Sequence, residues 1–285
     1  MNRNDYKENK CDNFSLPANR LLYRELGEYD AMVEFMECAL RYMLKHEDAN
    51  IKLNDLLADR IIETGIYLCD FSVERFLTMA RRGYLVFPIA CMNAYLENLT
   101  NDVKALFGNE EVMEEQEITG DKTRKKTKET KKNSLGKIVE LLNSIDINIK
   151  IDKYLVAIYD YYNKLRNAEA HHNKKEQTKE AIEELYDIVT AFQSDIQQRF
   201  PNQKTGIPHA HGEINFDDFI LCTATIKIIA DEVERTIKSH ISIPDVKEKC
   251  EKYLSENNLK NKNFDANRKE NYIANYIQTE YGIII

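Results

Sequence analysis

Residues 151–172 read IDKYLVAIYDYYNKLRNAEAHH, and this stretch decides the class of fold. Its apolar and tyrosine side chains recur every three or four residues, at Tyr154, Leu155, Ile158, Tyr161, Tyr162 and Leu165. This spacing lines them up on one face of an α-helix, so it predicts a helix from about Ile151 to Asn167. We expect Tyr159, Tyr161 and Tyr162 to pack in the core or at an interface, with stacking on nucleic-acid bases as the alternative.

The same periodicity recurs along most of the chain. It predicts further helices over Leu21–Met43, Leu53–Arg81, Pro88–Phe107, Ser134–Leu142, Lys179–Phe200 and Phe216–Ile241, and short helices near the C-terminus. Composition agrees, since the 285 residues include only 9 glycines and 5 prolines, whereas β and doubly wound folds need many tight turns. The predicted fold class is therefore all-α, a helical bundle with additional N- and C-terminal helices.

The chain divides into three predicted segments. Residues 1–83 form an N-terminal helical segment that contributes in part to the bundle, residues 84–201 form the helical core, and residues 202–285 form a linker and a C-terminal helical segment. Within the core, an insertion at 108–134 has an acidic first half, a basic second half and few apolar side chains. This composition is typical of a solvated loop; the alternative is that the basic half guides a phosphate backbone towards a nearby site.

The charge balance bears on the class of partner. The formal net charge is −8, so the chain has no overall positive field of the kind that attracts nucleic acid without regard to sequence. This counts against a non-specific DNA-binding protein. It leaves room for an enzyme that gathers a few cationic side chains at one cleft.

Neither a metal nor an organic cofactor is indicated. The six cysteines contain no Cys-x-x-Cys pair, as a zinc ribbon or a thioredoxin-type centre would require. Four of them lie among apolar residues and are expected in the core: Cys38, Cys69, Cys91 and Cys222. His209 and His211 are two residues apart, with no further cysteine or histidine nearby in sequence to complete a metal site. The N-terminus lacks an apolar signal core and no run approaches 18 apolar residues, so we expect a cytoplasmic protein without a membrane partner.

One short segment, Arg166 to His171, carries candidate chemistry. At about 100° per residue, Asn167 and His171 lie one turn apart on the same helix face. Arg166 reaches the same spot if the helix ends there, as the polar run after His172 indicates. The alternative is that Arg166 and His171 only bind the last carbonyl groups of the helix.

An arginine beside a histidine can cleave a phosphodiester without a metal. Imidazole takes or gives a proton near neutral pH, and guanidinium binds phosphate oxygens with two prongs and stabilises developing charge. If the substrate's own 2′-hydroxyl is the nucleophile, RNA is cleaved and DNA is not.

Arg166, Asn167 and His171 match, residue by residue, the pattern Arg-x(4–6)-His with a polar residue after the arginine. In this motif, and in its position between two long helices, the chain resembles the HEPN superfamily over roughly residues 53–200. The resemblance implies a HEPN-type helical bundle and a metal-independent endoribonuclease that acts as a homodimer. Two facing copies of the motif then supply two arginines and two histidines to one cleft.

The resemblance also implies a biological setting. Members of this superfamily often act as toxins or phage-defence effectors that cut RNA, and an antitoxin or regulatory protein is then a further partner. Other members are non-catalytic modules that bind nucleotides or proteins, which is the alternative function.

The assignment of residues follows from the motif. We predict Arg166, His171 and Asn167 as catalytic residues; His172, Lys164, Lys174 and Lys175 are predicted to bind substrate. His172 also falls within the permitted spacing, so either histidine fits as the proton carrier, and we favour His171 as the tighter match. Glu169 is expected to face solvent as a partner of lysines, with the tuning of a histidine as the alternative.

Overall fold

The computed structural model describes residues 14–45, 51–67, 71–107, 134–170, 175–201, 207–257 and 266–283. In these ranges the regular elements are helices, and an isolated bridge between Lys52 and Ser72 is the sole β-type pairing. The predicted all-α fold class is confirmed. None of the helices in these ranges combines the length and the apolar character needed to cross a membrane.

The α-helices are numbered here in chain order. They are α1 (Pro17–Met43), α2 (Leu53–Leu56), α3 (Ala58–Thr64), α4 (Val73–Tyr84), α5 (Val86–Phe107), α6 (Ser134–Ser144), α7 (Lys153–Ala170), α8 (Lys175–Ala191), α9 (Gln193–Arg199), α10 (Phe216–Ser239), α11 (Ile243–Asn257) and α12 (Ala266–Tyr281). A 3-10 turn, His211–Glu213, precedes α10. Most of the charged insertion predicted at 108–134 lies outside the described residues, and α6 begins at its last position.

The prediction of a single helix from Leu53 to Arg81 is wrong, because a helix-ending glycine and a helix-starting serine divide this stretch. Gly65 ends α3 in the left-handed conformation (φ 68°), and its N–H binds the carbonyl of Ile61. Ser72 begins α4, where its side chain accepts a hydrogen bond from the N–H of Arg75 at 3.2 Å. Both are standard helix-terminating and helix-starting devices.

Contacts group the chain into two units that are discontinuous in sequence. The first contains Met1–Tyr23, Asn93–Lys150 and Ala230–Ile285, and the second contains Arg24–Met92 and Ile151–Ile229. Helices α1, α5 and α10 contribute residues to both units. The three consecutive segments inferred from sequence stay a prediction.

In the first unit, carboxylates from distant helices cap the start of α1. The local sequence offers no polar N-cap, since Leu16 precedes Pro17. Instead, the N–H of Leu16 donates to Oε1 of Glu234 at 2.6 Å, and the N–H of Ala18 donates to Oδ2 of Asp102 at 2.8 Å. Two of the N–H groups that every helix start leaves without an intrahelical acceptor are thereby satisfied, and negative charge lies at the positive end of the helix dipole.

In the second unit, the buried face of α1 includes a carboxylate. Glu37 is 2% exposed and binds Arg81 with two prongs, Nη2 to Oε1 at 2.8 Å and Nε to Oε2 at 3.4 Å. Arg41 donates to Oε1 at 2.9 Å. Burial alone would raise the pKa of Glu37, but the two guanidinium groups outweigh it and hold that pKa below its ordinary value.

This orientation of α1 corrects one expectation about the cysteines. Cys91 and Cys222 are buried as predicted, but Cys38 is exposed. It follows Glu37 in sequence, and adjacent residues on a helix point about 100° apart, so turning Glu37 inward turns Cys38 outward. Cys69 lies outside the described residues.

The Asp102 cap gives the first unit a defined dependence on pH. Burial raises the pKa of Asp102 to about 6, although the Ala18 N–H lowers it. Since the folded pKa lies above the unfolded value near 4, the native state holds the proton more tightly. We therefore expect a contribution of about 2 kcal/mol to stability below pH 4, lost as the pH rises through about 6.

The measurement is the melting temperature between pH 4 and pH 7.5 for the parent protein and for Asp102→Asn, whose amide oxygen still accepts the Ala18 N–H. The variant should lose the Asp102-dependent fall in stability over this range. Asp187→Asn, at an exposed position on α8, is the matched control. Equal pH dependence in all three proteins would contradict the prediction.

Candidate functional site

Helix α7 presents Arg166 because its apolar face fixes its rotation. Leu155, Ile158, Tyr161, Tyr162 and Leu165 are all 0–3% exposed. The polar residues of its last turns therefore emerge at the side of the helix, where Asn163, Lys164, Arg166 and Asn167 are half-buried. The expected core role of the tyrosines is confirmed, and base stacking by them is wrong, because Tyr159, Tyr161 and Tyr162 are 0–1% exposed.

A short chain of side-chain hydrogen bonds orients the Arg166 guanidinium. Its Nη1 donates to Oδ1 of Asn167 at 3.0 Å, and Nδ2 of Asn167 donates to Oδ1 of Asn163 at 3.4 Å. Asn163 and Asn167 are four residues apart and so lie one turn apart on the same helix face. Asn167 thus acts on Arg166 as a positioning residue.

Arg166 borders a small cleft in the second unit. The cleft is lined by Arg82, Leu85, Leu165, Arg166, Glu169, His211 and Ile214. These residues come from the end of α4, the end of α7 and the 3-10 turn before α10. Three apolar side chains form part of the wall, which strengthens charge interactions at the site relative to open water.

A network of polar contacts crosses this cleft. Nη1 of Arg82 lies 3.3 Å from Oε1 of Glu169, and Nη2 of Arg82 donates to the carbonyl of His211 at 3.1 Å. Nε2 of His211 lies 3.4 Å from the same Oε1 of Glu169. Among the described residues, Glu169 therefore pairs with an arginine and a histidine.

Each of the two arginines has a hydrogen-bond donor that is not used within the described residues. The Nε atoms of Arg82 and Arg166 are buried and have no hydrogen-bond partner among the described residues. The cleft lining has two guanidinium groups and one carboxylate, so it carries one net positive charge even when His211 is neutral. The cleft is thus locally positive in a chain whose formal net charge is −8.

The backbone that carries His211 is fixed by the buried tyrosines of α7. The hydroxyl of Tyr161 donates to the carbonyl of His209 at 2.6 Å, and the hydroxyl of Tyr162 donates to Oδ1 of Asp218 at 2.9 Å. Burial, together with the negative charge of Asp218, raises the pKa of both phenols, so they stay protonated and act as donors.

Asp218 joins this loop to the start of α10. Its Oδ1 also accepts the N–H of His209 at 2.9 Å, and its Oδ2 accepts the N–H of Asn215 and contacts Nδ1 of His209, both at 2.8 Å. Asn215 in turn accepts the N–H of Asp217 at 2.8 Å, which completes a reciprocal capping arrangement. The hydrogen bond to Asp218 raises the pKa of His209 above its ordinary value, although burial opposes it.

The sequence-predicted site residues divide into three groups. Arg166 lines the cleft, and Asn167 accepts a hydrogen bond from Arg166. Lys164 is half-buried on α7 and is not part of the lining. Lys175 begins α8, and its side chain is outside what the structure describes. His171, His172 and Lys174 lie outside the described residues, so their predicted roles stay predictions.

Two residues of the cleft were missed by sequence reasoning. In sequence, Arg82 directly follows the predicted helix Leu53–Arg81, and His211 lies in the predicted linker. Both reach Glu169 from far along the chain, at 87 and 42 positions from it in sequence, so no local spacing could reveal them. Within the described ranges, no cluster of three or more His, Cys, Asp or Glu side chains could hold a metal ion.

Comparisons with known proteins identify no relative. No protein-family profile, no curated protein and no solved structure matches the chain. The resemblance to the HEPN superfamily therefore stays a prediction from the motif.

The four hydrogen bonds at Asp218 predict a large effect of a small change. In Asp218→Asn, one oxygen becomes an NH2 group and faces a donor in either orientation of the amide. We expect the free energy of unfolding to fall by about 2–4 kcal/mol, measured by urea denaturation. Asp217→Asn makes the same change one residue away and should cost less than about 1 kcal/mol. Similar losses in the two variants would contradict this account of the loop.

Proposed function

We propose that this chain is a metal-independent endoribonuclease whose reaction centre lies at the end of α7. The observation that carries the proposal is the setting of Arg166. Its guanidinium is oriented by Asn167, borders a cleft with a second arginine, and holds a buried donor without a partner among the described residues. Such a group can bind a phosphodiester oxygen and stabilise the charge that builds up on it.

The proposed reaction needs only the substrate's own nucleophile. The ribose 2′-oxygen attacks the adjacent phosphorus while the bond from phosphorus to the 5′-oxygen breaks. One imidazole takes the 2′-hydroxyl proton and another protonates the departing 5′-oxygen, which leaves a 2′,3′-cyclic phosphate and a 5′-hydroxyl. His171 is the proposed proton carrier, and His172, Lys164, Lys174 and Lys175 are the proposed substrate-binding residues.

The dimeric arrangement is part of the same proposal. One histidine does not readily serve as base and acid in a single step, whereas two histidines from facing copies can divide these roles. Two-fold pairing is also the commonest form of oligomer. The proposed biological role is that of a cytoplasmic toxin or phage-defence effector held in check by an antitoxin or regulatory protein.

The experiment is cleavage of a labelled single-stranded RNA by the purified full chain. We expect cleavage to persist in EDTA, to leave a 2′,3′-cyclic phosphate, and to stop when a 2′-deoxy nucleotide replaces the ribose at the cut position. Arg166→Ala and His171→Ala should each lower kcat/KM by about 100-fold or more. Arg199→Ala, which changes an exposed arginine on α9, is the matched control and should cleave normally.

Several outcomes would count against this proposal. Cleavage that requires magnesium, or equal cleavage of DNA, would overturn the mechanism. No cleavage by any variant, with RNA or nucleotide binding weakened by Arg166→Ala and unchanged by His171→Ala, would identify the chain as a non-catalytic binding module. Activity per subunit that is unaffected by dilution to a monomer would overturn the shared site.

A further inference from the structure

We propose that Arg82, Arg166 and His211 form a binding site for a phosphate group, and that the Glu169 carboxylate occupies this site when no ligand is bound. That the ligand is a phosphate of an RNA rests on the proposed function. The site itself is defined by contacts of the described residues within the second unit.

Three elements bring the donors of this site together. Arg82 comes from the last turn of α4, Arg166 from the end of α7, and His211 from the 3-10 turn. The turn is anchored by the Tyr161 and Asp218 hydrogen bonds, and Arg82 itself binds the His211 carbonyl. Arg82 and the turn that carries His211 are therefore held in place before any ligand arrives.

Glu169 is a weak occupant of the site. Its contacts with Arg82 and His211 are 3.3 and 3.4 Å long and both use the single oxygen Oε1, whereas a strong arginine–carboxylate pair uses both oxygens at shorter distances. The Glu37–Arg81 pair in the same unit shows the stronger form, with two prongs and a 2.8 Å contact. The Glu169 side chain is also 36% exposed, so solvent screens the pair further.

A phosphate would satisfy the site better than this carboxylate. It offers more acceptor oxygens and a tetrahedral arrangement, and the buried Nε atoms of Arg82 and Arg166 have no acceptor among the described residues. Because Oε1 of Glu169 already contacts Arg82 and His211, a phosphate can bind both of these donors only when the Glu169 side chain turns away. Glu169 thus competes with the ligand for the same donors.

The test measures binding without cleavage. The probe is a fluorescent single-stranded 2′-O-methyl RNA of 12 nucleotides with hydroxyl ends, which has no free 2′-hydroxyl to attack. Binding to the full chain is followed by anisotropy at low salt. Glu169→Gln keeps the size of the side chain and removes its charge, and should lower Kd by about five- to tenfold.

Three further variants and two competitors test which residues form the site and which kind of phosphate it binds. Arg82→Gln should raise Kd by at least about tenfold and should abolish the gain from Glu169→Gln when the two are combined. Glu183→Gln removes an equally charged side chain from the exposed pair with Lys179 on α8 and should leave Kd within about twofold. Inorganic phosphate should compete with the probe, and a mononucleotide that competes better than the hydroxyl-ended oligonucleotide would identify a terminal phosphate, not a backbone phosphate, as the ligand.

The decisive variant acts by a gain of binding, which misfolding cannot mimic. Unchanged or weaker binding in Glu169→Gln, accompanied by a lower melting temperature, would show Glu169 to be an ordinary structural ion-pair partner and would overturn the inference. If RNA cleavage nevertheless occurred as proposed, the nuclease would stand without this site. Tighter binding by Glu169→Gln with no cleavage under any condition would support the phosphate site and reject the nuclease.

Discussion

The buried carboxylate of Asp218 is the constraint on which the organisation of the second unit depends. A charge that is 1% exposed is strongly unfavourable unless donors surround it. Here the donors come from α7 and from the loop before α10, while Asp218 itself lies in the first turn of α10. The requirement to satisfy one carboxylate therefore fixes three pieces of backbone relative to each other. His211 lies in the loop so fixed, and its position against α7 follows from this requirement.

Two adjacent arginines show how one helix end serves structure and surface chemistry together. Arg81 and Arg82 are consecutive on α4, so their side chains leave the helix in directions about 100° apart. Arg81 meets the buried Glu37, while Arg82 reaches Glu169 and the His211 carbonyl. The first pairing stabilises the packing of α1 in this unit, and it leaves the second guanidinium available at the cleft. Arg81 thus stabilises the packing of α1, while its neighbour Arg82 adds positive charge to the cleft of an acidic chain.

Features that depend on residues close together in sequence could be predicted, whereas features that depend on contacts between distant residues could not. The apolar faces of α7 and α10 are properties of single helices, so spacing alone predicted them, and Arg166 with Asn167 followed from the same local register. Periodicity alone does not predict the division of 53–81 into three helices, because that division depends on Gly65 and Ser72. Glu37 was missed for another reason: a carboxylate is expected to face water, and its partner Arg81 lies 44 residues further along. Arg82 and His211 join Arg166 only through such long-range contacts.

The capping of α1 by residues far along the chain has a consequence for synthesis. The N–H of Leu16 and its acceptor on Glu234 are 218 residues apart, and Asp102 lies 84 residues beyond Ala18. During translation the first turn of α1 emerges long before either acceptor exists, and it acquires the second only once residue 234 has been added. The start of α1 is consequently late in completing its hydrogen bonding, and a nascent chain that stops before residue 234 lacks the acceptor for the Leu16 N–H.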